Sequence, residues 1–135
     1  MPLLIGVLLA LAAGIFATVV GFDRDRGFYP VVAIVIASLY ALFAAMGAST
    51  QALVLDSLAG ALFIALAVAG FKWSLWLAVV ALAGHGVFDF IHARFITNPG
   101  VPEWWPAFCL GYDVVAAAYL AWLLKSDRIR AAPGM

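Results

Sequence analysis

An all-α bundle of five membrane-spanning helices, forming one domain over residues 1–135, is expected from three properties of this chain. It is 67% hydrophobic and only 10% charged. Its mean hydropathy is +1.14. Apolar runs near the ~20 residues that cross a ~30 Å hydrocarbon core recur five times. Hardly any sequence lies outside those runs, so no soluble domain is expected and any chemistry belongs within the bilayer or at its surfaces.

The first span covers about Pro2 to Gly21. It lacks the basic flank of a secretory signal and is longer than a signal's apolar region, so it reads as a retained helix. Gly6, Ala10 and Gly14 recur every fourth residue, the small-xxx-small pattern that lets helix backbones approach closely. The loop Asp23-Arg24-Asp25-Arg26 alternates in charge and reads as a local ion-pair cluster and topology signal. Pro30 suits the first turn of the second span, about Tyr29 to Ala48, whose Ser38 and Tyr40 are given no chemistry.

A tight polar turn leads to the third span, about Gln51 to Phe71, with Asp56 roughly one and a half turns inside its start. The fourth, about Trp73 to His92, opens on Trp73 and Trp76 at expected interfacial depth. The loop Asn98-Pro99-Gly100 through Trp104-Trp105-Pro106 is the longest, a lid or a membrane-surface clamp. The fifth span, about Ala107 to Lys125, carries Tyr112 and Asp113, and the basic tail after it is expected to fray.

The stretch Gly84-His85-Gly86-Val87-Phe88-Asp89-Phe90-Ile91-His92-Ala93-Arg94 carries the functional signal. His85, Asp89 and His92 fall at i, i+4 and i+7, along one stripe of one helix. Such groups are expensive in hydrocarbon and mark functional sites by default. Gly84 and Gly86 leave little bulk beside His85. Seven basic residues balance seven acidic ones, which leaves no basic field for nucleic acid and excludes it as a partner. The single cysteine, Cys109, forms no intrachain disulfide, belongs to no zinc spacing and reads as packing.

Five spans put the termini on opposite sides. Arg24, Arg26, Lys72, Lys125, Arg128 and Arg130 fall on one face and Arg94 alone on the other. The positive-inside rule then sets the amino terminus outside and the carboxyl terminus in the cytoplasm. In that orientation Asp56, His85, Asp89, His92 and Asp113 all lie in the outer half of the bilayer, and one shared cavity opening outward is expected.

Several chemistries fit these groups. His85 and His92 stand about 10 Å apart along the helix, too far to share one zinc ion. A metal would take His85 with Asp89, or Asp89 with His92, completed by Asp113 or Asp56, and nitrogen-oxygen ligation of that kind suits zinc or iron. Without a metal, His85, Asp89 and Asp113 are candidate acid-base catalysts that isomerise, cyclise or hydrolyse a lipid or isoprenoid entering sideways. Tyr112, Trp104 and Trp105 would position that substrate. The alternatives are a small proton- or ion-coupled transporter, against which stand the short chain and the lack of an internal repeat, and a non-catalytic scaffold or accessory subunit held by interhelical hydrogen bonds. An axial haem ligand at His85 or His92 is a further variant, although no attachment motif is present. Five short helices bury little alone, so a homo-oligomer is expected.

The stretch Gly21-Phe22-Asp23-Arg24-Asp25-Arg26 through Tyr29-Pro30 is one part of a wider pattern. With His85-Gly86, Asp89, His92, Asn98-Pro99-Gly100, Trp104-Trp105-Pro106 and Tyr112-Asp113, it resembles a family of small bacterial multi-pass membrane proteins without an assigned function. That resemblance covers nearly the whole chain and implies a bacterial inner membrane, but no activity. A second similarity is to membrane hydrolases of the alkaline ceramidase type, which gather Ser, Asp and His around zinc. This chain departs from them in length, span count and histidine number, so no residue roles carry over.

The orientation is open to direct test. A cysteine replacing Glu103 is expected to react with a membrane-impermeant thiol reagent on intact cells, and one replacing Arg130 only after lysis. The reverse pattern would invert the topology.

Overall fold

The computed structural model describes residues 1–133. Five helices account for most of them: α1 (Pro2–Val20), α2 (Phe28–Met46), α3 (Thr50–Lys72), α4 (Trp76–Phe95) and α5 (Trp105–Lys125). A 3₁₀ turn, Phe22–Arg24, joins α1 to α2, and no strand occurs among the described residues. All five helices are long and apolar enough to cross a membrane, the shortest having 19 residues and the longest 23.

Local chemistry sets the ends of these helices, and some differ slightly from the expected spans. α1 stops where Gly21 turns left-handed, at φ 98°, a conformation glycine adopts without cost. α2 ends at Met46, not Ala48, because Ala48 itself sits at φ 55°. Ser49 then starts α3 as its N-cap, its side chain accepting the Ala52 N–H at 3.2 Å. α4 begins at Trp76, not Trp73, since the Leu75 N–H bonds the Ala131 carbonyl at 2.8 Å outside any helix. α5 starts at Trp105, with Pro106 in its first turn, where a missing N–H is harmless.

The helices pack in the order α1, α5, α4, α3, α2. α1 and α5 run parallel: Leu3 lies against Gly111, Gly6 against Phe108 and Gly14 against Tyr119. A Cβ built on Gly6 would stand 2.0 Å from the Phe108 carbonyl oxygen. Backbone therefore meets backbone there, as the Gly6, Ala10, Gly14 spacing predicts. On the lipid side, Leu4, Ile5, Leu8, Phe16, Val87 and Phe90 are exposed. Inside, Asp23, Asp56, His85, Asp89, His92 and Asp113 are all buried. This inverted polarity, apolar outside and ionisable within, is what hydrocarbon demands of a bundle that carries charged residues.

At the arginine-rich end, two expectations change. Among the described residues the ion-pair contacts all join histidine to aspartate, so the Asp23-to-Arg26 loop forms no ion-pair cluster. Instead, the Thr18 hydroxyl donates its one proton to Asp23 at 2.5 Å and accepts the Tyr119 hydroxyl at 2.7 Å, which ties the loop to α1 and α5. Arg26 donates to the Arg130 and Ala131 carbonyls, both at 2.8 Å, and to the Phe71 carbonyl at 2.8 Å. The tail is therefore packed rather than frayed, with Ile129 buried beneath it. Five donors in one planar fork let a single arginine hold acceptors from two segments.

Gly6→Ala is expected to destabilise the bundle by about 1–3 kcal/mol through overpacking of α1 on α5. Gly84→Ala is the control, because its added methyl meets only Phe63 at 3.5 Å. The midpoint of thermal unfolding in detergent should fall for the first and hold or rise for the second. Equal midpoints would mean that α1 does not rest on α5.

Candidate functional site

The inward stripe of α4 presents His85, Asp89 and His92 to the middle of the bundle, all buried. Two neighbouring helices answer it. From α5, Asp113 Oδ2 lies 2.8 Å from His85 Nδ1. From α3, Asp56 Oδ1 lies 2.8 Å from His92 Nε2. Gly86 allows the first of these contacts, since a Cβ there would meet Val114 at 3.0 Å and Asp113 Cβ at 3.5 Å. Gly84 plays no such part.

The polar groups form two layers. Nearer the α4–α5 loop are His92, Asp56 and Asn98, whose side-chain amide donates to Asp56 Oδ2 at 2.8 Å and to the Tyr40 carbonyl at 2.9 Å. Deeper in the bundle are His85, Asp89, Cys109 and Asp113. One atom from each of these four, the histidine nitrogen, the sulfur and two carboxylate oxygens, lies within 4.8 Å of the others. Tyr40 separates the layers and also joins them. Its ring stacks on His92 with centroids 4.0 Å apart and 9° between planes. Its hydroxyl donates to Asp89 Oδ1 at 2.7 Å.

The expectation that far-apart aspartates and histidines meet in one region agrees with this arrangement, but its form differs. Asp89 is 2% exposed and Asp113 0%, so the side chains close on one another rather than around an open outward cavity. His92 and Asp56 pair together and stand apart from the group of His85, Asp89 and Asp113, so the candidate metal ligands fall into two sets. Within the deeper set, Asp89 Oδ2 is 3.4 Å from His85 Nδ1 and has no hydrogen-bond partner, and Asp113 Oδ1 has none either.

Three members of the site escaped the reading of the sequence. The sequence assigns no chemistry to Tyr40, places Asn98 in a loop and reads Cys109 as packing. Cys109 Sγ lies 3.5 Å from Asp113 Oδ2. It precedes Asp113 by four residues just as His85 precedes Asp89, and that repeated spacing was the available signal.

Of the expected substrate contacts, Tyr112 and Trp105 line an apolar groove of about 360 Å³ between α1 and α2, floored by α5. Leu9, Val35, Ile36 and Cys109 share its wall. Trp104 is exposed and sits with Pro2 and Ile5 on the adjoining surface. The tryptophans therefore border the apolar groove, while the Asn98–Gly100 turn covers Asp56. That turn is wedged against α2: a Cβ on Gly100 would lie 1.7 Å from the Phe43 carbonyl oxygen.

Removing one partner of a buried pair strands the other, at a cost of about 3–5 kcal/mol, whereas replacing both with apolar groups is close to neutral. His92→Phe, which keeps an aromatic face for Tyr40, is thus expected to lower the unfolding midpoint sharply. Adding Asp56→Leu should recover most of the loss. Additive losses in the double variant would show that the two side chains do not depend on each other. Comparison of the chain with protein-family models, curated proteins and solved structures finds no match, so no relative lends the cluster an activity.

Proposed function

We propose that the chain is a membrane-embedded enzyme acting on a lipid- or isoprenoid-like substrate, with His85, Asp89 and Asp113 as its acid-base or metal-assisted centre. It sits in a bacterial inner membrane as a homo-oligomer, amino terminus outside and carboxyl terminus cytoplasmic, with the cluster in the outer half of the bilayer.

The observation that carries this reading is the adjacency of groove and cluster. Cys109 belongs to both: it lines the apolar groove, and its sulfur touches Asp113 at 3.5 Å. The groove lies between α1 and α2, which are not among the closely packed helix pairs, so a hydrocarbon tail enters from the side without leaving the lipid. Its lining of Val, Ile, Leu and aromatic side chains suits an acyl or isoprenyl chain. Beyond Cys109, His85 stands between two carboxylates and exchanges a proton with Asp113 across 2.8 Å, within the reach general acid-base catalysis needs.

Lipid extracts of cells making the wild-type protein are expected to contain a species that is absent when Asp113→Asn replaces it at equal protein level. A photoreactive acyl-chain analogue should label wild-type protein on α2 and α5. Val35→Trp, which fills the groove, should lose that label. Identical lipid profiles together with proton-coupled flux in liposomes, lost in Asp89→Asn, would make the protein a transporter instead.

A further inference from the structure

We infer that His85, Asp89, Cys109 and Asp113 form a four-ligand centre for a divalent transition metal of the zinc type, held between α4 and α5. The inference concerns the same cluster as the proposed enzyme but does not require that the groove take a lipid.

The ligand set is built from two i, i+4 pairs on facing helices, His85 with Asp89 and Cys109 with Asp113, so each helix offers two ligands from one stripe. The spacing of the donor atoms fits an ion. Zinc bonds of 2.0–2.3 Å in a tetrahedron place neighbouring ligand atoms about 3.3–3.6 Å apart. His85 Nδ1 and Asp89 Oδ2 are 3.4 Å apart, and Cys109 Sγ and Asp113 Oδ2 are 3.5 Å apart. Both lie on that edge length. The 2.8 Å contact between His85 and Asp113 is the hydrogen bond that a proton makes in the metal's place.

Two independent features point to a cation there. Asp89 Oδ2, one of the four ligand atoms, is buried with no hydrogen-bond partner, and an orphaned carboxylate oxygen in an apolar bundle is costly. Every lysine and arginine lies at a helix end or outside the helices, so no fixed positive charge faces the two aspartates. On binding, Cys109 gives up its thiol proton and His85 presents a neutral nitrogen, so two carboxylates and a thiolate face a divalent ion. The Tyr40 hydroxyl on Asp89 Oδ1 completes the arrangement as the outer partner that orients a ligating carboxylate. Nitrogen, sulfur and oxygen donors in a compact site favour zinc over magnesium or calcium, which take oxygen donors. His92 and Asp56 stand outside the centre.

Cobalt(II) is the probe, because its spectrum reports thiolate ligation. The full chain, purified in detergent and stripped with chelator, is expected to bind about one equivalent of cobalt, as a single centre requires. Its spectrum should show tetrahedral visible bands and a thiolate-to-cobalt band in the near ultraviolet. Cys109→Ser, nearly isosteric, should lose the thiolate band. Tyr40→Phe should weaken affinity roughly 10–100-fold, as loss of an outer partner does. His92→Gln, which keeps a donor for Asp56, should leave the spectrum unchanged. A folded wild-type protein that binds no cobalt, or a cobalt spectrum that is the same in Cys109→Ser, would overturn the centre. Neither result bears on the labelling of the groove.

Discussion

Everything in this bundle answers to the cost of holding ionisable groups away from water. Hydrocarbon offers no hydrogen bonds, so His85, Asp89, Asp113, His92 and Asp56 face inward and find one another. That requirement explains the close approach of α4 to α5 at Gly86, the placement of Tyr40 between the two polar layers and the wedging of the Asn98–Gly100 turn against α2. Where most globular cores exclude polar atoms, this one holds them in pairs, because a buried charge without a partner is costly.

The pairing is specific rather than diffuse. His85 goes to α5 and His92 to α3, so a single helix, α4, is fastened on two sides by residues two turns apart. Small residues do the complementary work at α1, where Gly6 and Gly14 admit Phe108 and Tyr119 at close range. The bundle therefore uses two kinds of adhesive: hydrogen bonds at α4 and close backbone packing at α1.

Much of this was legible in the sequence. Hydropathy marks five helices because each must be predominantly apolar for about 20 residues, and the polar interruptions stand out against so apolar a background. Helical spacing put His85, Asp89 and His92 on one stripe, and span direction set them level with Asp56 and Asp113. What could not be read was which partner each would choose. That depends on the packing order of the helices, which a single sequence of uniformly apolar spans leaves open. For the same reason Tyr40, Cys109 and Asn98 looked ordinary, since their roles exist only once α2, α5 and the loop have been placed around α4. The packing of the tail is not legible either, because Arg26, the residue that holds it, lies 104 positions away from Arg130 in the chain.

The neighbour relations of α1 have a consequence for how the molecule is made. Of the five helices, α1 is made before the others yet rests chiefly on α5, and it packs only loosely against α2, which follows it. During synthesis it must wait in the lipid with its glycine face uncovered until α5 arrives, while α2, α3 and α4 can already assemble. Closure of the five-helix bundle, and of the apolar groove that α1 helps to wall, thus waits until α5 has been made. A nascent chain cut short before α5 would lack Cys109 and Asp113 and leave α1 without its partner.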